Sequence, residues 1–228
     1  MDQKRMIQAT EIIKDKIKGM RLGCLWASEL SVQETDPAFD SSLNELHTFL
    51  EDKFSKKRPA EDAVVSAVRR MYRRVGWEPT RYRPSSEALI RRMLQGKGLY
   101  RINNLVDYGN LASAYSHLPM GLYDTEKIRG EIVIDVGGEE ETYEGLSKKL
   151  IHATGKLILR DDEGIFGNPT ADSRRTSITA ETNKILAVFF CPSEVDETYL
   201  EMTLRKLETF YMPFTKRPEN FHSDIIIT

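Results

Sequence analysis

Helix-patterned and strand-patterned segments are interspersed along this chain without the regular strand–helix–strand alternation of a parallel sheet. That order points to an α+β fold and away from a doubly wound one. Residues 3–18 read as a helix carrying Met6, Ile7, Ile13 and Ile17, and residues 21–32 as a strand with Cys24 and Trp26 on one face. Asp40, Ser41 and Ser42 are placed to cap a helix with the stripe Leu43, Leu46, Leu50 and Phe54. Pro59 suits the first turn of the next helix, in which Val64, Val68, Met71, Tyr72 and Val75 share one arc. Arg69, Arg70, Arg73 and Arg74 take the opposite face of that helix and are expected to meet solvent together. A shorter helix opens at Ser85 or Ser86, with Leu89, Ile90, Met93 and Leu94 inside, Arg91 and Arg92 outside and Gly96 as terminator. A further helix is predicted over 104–117, stopped by Pro119, and a last one over 194–211. Strands are predicted at 131–136, 156–160 and 185–191, the last two separated by a long Gly-, Asn-, Asp- and Ser-rich loop. A structureless loop of that length is either functional or a sign of missed elements.

With 228 residues, 40% hydrophobic and 30% charged, the chain has a globular composition that excludes disorder and fibrous folds. Its length allows one or two domains. No apolar run approaches the roughly 20 residues of a membrane span, and the first residues are charged where a signal peptide needs an apolar stretch. Cys24 and Cys191 lie far apart in apolar runs, which favours two buried thiols over a disulfide. A cytoplasmic location is expected.

The formal net charge of −2 conceals a segregation. Between Lys53 and Arg101 there are 14 Lys and Arg against 4 acids, and the remainder carries 19 basic and 31 acidic residues. Ten of the fourteen are arginine, whose planar fork suits phosphate. Such a stretch is either a set of solvated helix faces or the footprint of a polyanion, for which RNA is the expected partner.

Zinc, nucleotide and dinucleotide motifs are absent, the four histidines are scattered, and no cofactor or metal is expected. His47 and His117 each read as structural before functional. Two segments carry more polar groups than loops or buried helices need. In residues 101–124, Asn103 or Asn104 can cap the helix, while Asp107, Asn110 and Ser113 fall three apart on one stripe. That stripe either faces solvent or lines a polar pocket. In residues 164–179, Gly164 and Gly167 are followed by Asp172, Ser173, Arg174, Arg175 and Thr176. This is either a glycine-bearing hairpin with surface arginines or a cradle of donors for an anion or oxyanion.

Residues 83–128 resemble the B3/B4 domain of the phenylalanyl-tRNA synthetase β subunit. The shared run is Asn103, Asn104, Val106, Asp107 and Asn110, then Pro119, then Asp124, Lys127 and Ile128. The 163–179 loop and the strand at 185–191 match that domain's second glycine-bearing element, so the likeness covers about residues 80–215. The resemblance implies a freestanding B3/B4 protein with a mixed sheet and packed helices. It divides into N-terminal elements (1–79), the B3/B4-like domain (80–216) and a C-terminal tail (217–228). In the synthetase this domain hydrolyses tyrosine wrongly esterified to phenylalanine tRNA. An apolar pocket alone rejects a hydroxylated isostere only about a hundredfold, so a second, polar-reading site is needed. The implied activity here is hydrolysis in trans of a mischarged tRNA, with tRNA and an amino acid as partners. Under that reading Asp107, Asn110, Ser173 and Thr176 are the catalytic candidates. Asn103, Asn104, Ser113, Pro119, Gly121, Gly164, Phe166, Gly167 and Arg174 line the substrate site, and Arg69, Arg70, Arg73, Arg74, Arg91 and Arg92 hold the tRNA. Gly121 stands where the bacterial synthetase has a histidine, and Leu186 lies in the strand that carries its tyrosine-reading glutamate, so tyrosine specificity does not transfer. The alternatives are a non-catalytic tRNA- or amino-acid-binding module and a hydrolase of small amino-acid derivatives.

Overall fold

The computed structural model describes residues 7–228 and shows an α+β architecture with one mixed and one antiparallel sheet. The chain opens with strand β1 (Ile7–Ala9), helix α1 (Glu11–Lys16), strand β2 (Arg21–Ala27) and helix α2 (Phe39–Lys53). Three helices follow: α3 (Ala63–Arg74), α4 (Ser85–Leu94) and α5 (Asn104–Ser116). Then come β3 (Met120–Asp124), β4 (Ile132–Val136), β5 (Thr142–Glu144), β6 (Leu150–His152), β7 (Leu157–Asp161), β8 (Gly164–Asn168), β9 (Ala171–Asp172) and β10 (Ile185–Cys191). Helix α6 (Glu197–Tyr211) and strand β11 (Phe221–Ile227) complete the chain.

The first sheet has the order β1-β4-β7-β8-β9, with β1 parallel to β4 and the other pairs antiparallel. The second, β11-β2-β10-β3, is antiparallel throughout, and β5 and β6 form a separate hairpin. Every residue of β10 is buried, as a continuous apolar run at the centre of a covered sheet requires. The core draws on all the helices, including Ile13, Leu46, Val68, Ile90, Leu111 and Leu204.

Several sequence expectations are corrected. The single helix over 3–18 becomes strand β1 and the short α1, because Ile7–Ala9 gains a parallel partner in Ile132–Ile134; residues 3–6 lie outside the described part. Asp40, Ser41 and Ser42 sit inside the first turn of α2 rather than at its cap. Pro59 begins a 3₁₀ turn, and the helix proper starts at Ala63 with Asp62 as its cap, accepting from the Val64 and Val65 amides. The long loop after β7 contains β8 and β9. Phe221–Ile227, within the segment set apart as a tail, pairs with β2 along its length. The helix expected over 104–117 is found one residue shorter: Asn103 caps it, and His117 terminates it in the left-handed region at φ 60°. Both cysteines are buried and neither forms a disulfide.

A candidate ligand cavity beside a cationic groove

The polar residues at the start of α5 hold the helix in place. Asn104 accepts from the Gln33 amide at 2.8 Å and donates to the Ser31 carbonyl at 2.9 Å. Asp107 accepts from the Ile102 amide at 2.8 Å, with Arg101 at 3.3 Å. Burial outweighs these partners and raises its carboxyl above the usual range. Ser113 donates to the Leu118 carbonyl at 2.7 Å. Of the predicted stripe, only Asn110 keeps a half-buried side chain, and it borders a cavity.

That cavity, of about 360 Å³, lies between α4, α5, β3 and the segment 170–178. Leu89, Val106, Met120, Leu122 and Ile178 give it apolar walls, and Asn110, Ser85 and Asp172 bring polar groups to it. Tyr100, Ile102 and Leu146 also line it and are 54%, 56% and 57% exposed. Large apolar side chains left in water around one opening mark a surface that something covers.

The second predicted segment divides. Asp172, not put forward as a site residue, faces the cavity with Asn110. Gly164, Ser173 and Arg174 instead line a separate open groove of about 520 Å³ with Tyr143, Glu144 and Glu163. Ser173 and Thr176 share a hydrogen bond at 3.1 Å, and Thr176 also donates to the Phe166 carbonyl. The structure thus brings Asn110 together with Asp172, not with Gly164 or the two hydroxyls. Phe166 packs edge-on to Tyr123, and Gly167 lies under the same ring. Pro119 contributes its carbonyl to the Phe190 amide, and Gly121 pairs with Val188 in the sheet. From the sequence, Ser85 was legible only as a helix opener and Asp172 only as one member of the glycine-bearing segment, and Tyr100 was not singled out. Their convergence needs the fold.

His117 lies outside the cavity. It is fully buried, with Nδ1 2.9 Å from Asp62 Oδ1 and Phe54 beside the ring. Burial lowers its pKa, with Asp62 opposing. This is the structural role, holding the α3 cap against the end of α5.

The arginines behave differently from a uniform face. Arg69 turns inward to the fully buried Glu87 at 2.9 Å, its side chain only 15% exposed. Arg74 and Arg70 converge on Glu194 at 2.7 and 3.5 Å, and Arg73 lies 4.0 Å from Glu78. On α4, Arg91 also pairs with Glu87 at 2.9 Å, whereas the Arg92 guanidinium lies 4.1 Å over Tyr100. Arg83, Arg91, Arg92 and Lys97 line a groove of about 260 Å³, and its other walls include Ala88, Leu89 and Tyr100. Those three residues also wall the cavity, so the cationic groove and the apolar cavity adjoin.

Unpartnered polar atoms gather here as well. Among the described residues, nine buried side-chain nitrogens and oxygens lack a hydrogen-bond partner. Ser85 Oγ and Asp172 Oδ1 belong to cavity-lining residues, Arg92 Nε to the groove, and the Tyr123 hydroxyl lies beside Asp172. Native proteins seldom leave such groups unpaired, and their concentration marks a place prepared for water or ligand.

A family model described as "B3/4 domain" matches residues 67–211. Phenylalanine–tRNA ligase β subunits are similar over part of the chain: that of Fusobacterium nucleatum is 28% identical over 124 residues, covering 50% of this chain and 15% of its own. That of Psychrobacter arcticus is 32% identical over 99 residues, covering 42% of this chain and 12% of its own. The chain therefore spans about one-seventh of the length of these relatives. Among solved structures, an N-terminal fragment of the phenylalanyl-tRNA synthetase β subunit from Pyrococcus horikoshii aligns with 96% of this chain and 50% of that chain, at a TM-score of 0.46 and 12% identity.

Proposed function

This chain belongs to the B3/4 domain family, and from that premise we propose that it removes an amino acid from mischarged tRNA in trans. The observation that carries the reading is the shared wall of Ala88, Leu89 and Tyr100 between the cavity and the cationic groove. An aminoacyl-tRNA terminus has the same layout, an amino-acid side chain next to a base and then phosphates. The apolar walls take the side chain, Tyr100 offers a ring on which a base stacks, and the α4 arginines and Lys97 meet the phosphates. Hydrolysis of an activated ester requires a placed water and donors for the developing oxyanion more than a protein nucleophile. Asn110 and the Ser85 hydroxyl are the donors put forward for that task, since the Thr170 and Ser177 hydroxyls at the cavity are engaged with the Arg83 and Arg174 carbonyls. Asp107, Ser113, Ser173 and Thr176 spend their hydrogen bonds on the fold.

The same spent hydroxyls favour a second reading, a module that binds a charged tRNA or an amino acid without turnover. A panel of mischarged tRNAs decides between them. Salt-sensitive deacylation of a tRNA carrying an apolar or aromatic residue, reduced about tenfold or more by Asn110→Ala, is the expected result. Salt-dependent RNA binding with no hydrolysis above buffer for any member of the panel replaces the hydrolase by the binding module. Hydrolysis of amino-acid esters that is indifferent to Arg91→Glu with Arg92→Glu removes RNA from the account.

A further inference from the structure

Among the described residues, the cavity lining contains one carboxylate, Asp172, and no lysine, arginine or histidine. Asp172 Oδ2 accepts a 3.3 Å hydrogen bond from the Leu122 amide, while Oδ1 is closed to bulk water and makes no hydrogen bond of regular geometry, with the Tyr123 hydroxyl near enough to act on the carboxyl. Beside it lies the hydroxyl of the fully buried Tyr123, also without a regular hydrogen bond. The phenol reaches that position because two neighbours lack side chains. A Cβ at Gly121 would lie 1.9 Å from the Tyr123 hydroxyl and 2.9 Å from Asp172 Oδ1, and one at Gly167 would lie 2.3 Å from the same hydroxyl. Two glycines thus make room for an oxygen pair at the back of one cavity wall.

Burial pushes the Asp172 carboxyl up to about 7, with the Tyr123 hydroxyl and the Leu122 amide pulling it down. The titratable side chains facing it are Tyr123 from β3 and Tyr143 from β5. Burial raises the pKa of both phenols, so they stay neutral near pH 7 and neither supplies a cation. A carboxylate in such a place is costly unless something of opposite charge joins it. We propose that Asp172 is an ammonium subsite. It pairs with the primary ammonium of an amino-acid ligand whose apolar side chain fills the rest of the cavity, while the buried Tyr123 hydroxyl supports the carboxylate from behind. This rests on the reading that the cavity takes an aminoacyl group, and it names the part of the ligand that is recognised. The described lining offers no cation for a free α-carboxylate, which favours amino acids esterified or amidated at the carboxyl.

The test is calorimetric titration with 2-phenylethylamine and 2-phenylethanol, which share an apolar body and differ in the terminal group. At pH 8 the amine is expected to bind about tenfold tighter, and its advantage shrinks as the pH falls through about 7 and Asp172 takes up a proton. Asp172→Asn brings the two ligands within about twofold of each other, chiefly by weakening the amine, and circular dichroism checks that the variant is folded. Tyr123→Phe lowers the amine preference without abolishing it. Equal binding of the two ligands by the wild type, no binding of either at millimolar concentration, or an undiminished amine preference in Asp172→Asn overturns the subsite. Should Asp172→Asn fail to fold, the wild-type pH dependence decides: an amine preference unchanged from pH 6 to pH 8 overturns it. Deacylation of mischarged tRNA without amine preference leaves the editing reading standing and removes the subsite, and the converse result does the opposite.

Discussion

Helices α3 and α4 carry similar sets of arginines, and the fold uses them in opposite ways. On α3, Arg69 goes to the buried Glu87, Arg70 and Arg74 go to Glu194, and Arg73 lies near Glu78. On α4, Arg91 shares Glu87, but Arg92 lies over Tyr100 and, with Arg83 and Lys97, borders a groove next to the cavity. Charge counted along a chain says how much positive field is available. Which acids come to meet it decides where that field is left over.

The strongest way to break this comparison is at Glu87, the carboxylate on which both helices draw. Glu87→Gln leaves the inward-turned Arg69 without its counter-charge and is expected to cost about 3 kcal/mol in urea unfolding. A change below about 1 kcal/mol means that Glu87 is not what turns Arg69 inward. Next, Arg91→Glu with Arg92→Glu is expected to weaken RNA binding about a hundredfold and to flatten its salt dependence by about two phosphate contacts. Filter binding at three salt concentrations checks both. The same reversal on α3, Arg70→Glu with Arg74→Glu, is expected to change RNA affinity less than about fivefold. An equal loss from the two pairs erases the distinction between the helices.

A smaller effect sharpens the account of the cavity. Asp172 has its folded pKa raised to about 7, so between the unfolded value near 4 and that point the folded protein holds the extra proton. Stability therefore falls as pH rises from about 4 to 7, and Asp172→Asn removes that part of the slope. The substitution is expected to raise stability at pH 8 by about 2 kcal/mol, less than the full displacement implies because the Asn amide in the same buried place needs partners of its own. Thermal unfolding of both proteins at pH 5 and pH 8 measures it, and lower stability of the variant at pH 8 means that the carboxylate has a counter-charge in the fold.

Legibility in the sequence followed the range of the interactions involved. Helix α5 was readable to within a residue because its signals are local, with Asn103 capping the Val106 amide and Pro119 beyond the end. Strand β10 was readable because an unbroken apolar run has few other fates. Strand β1 was misread, since Ile7–Ala9 fits a helical pattern until Ile132–Ile134 offers it a ladder. The short strands β8 and β9 stayed hidden in a loop-like composition, because pairings of three and two residues are specified by neighbours more than by propensity.

The candidate site divides in the same way. Asn110 stood out by its place on a helix stripe, and its neighbours Asp107 and Ser113 looked equivalent to it. Only the fold separated them, by giving Asp107 the Ile102 amide and Ser113 the Leu118 carbonyl. The chain by itself determined the α+β class, the α5 helix, the buried β10 strand and a concentration of arginine, all properties of neighbours in sequence. Tertiary structure alone decided that Asp172 and Asn110, 62 positions apart, face one space, and that α4 rather than α3 borders it with charge. Contacts of that range depend on how sheets and helices close over the core, and no local pattern of side chains encodes that closure.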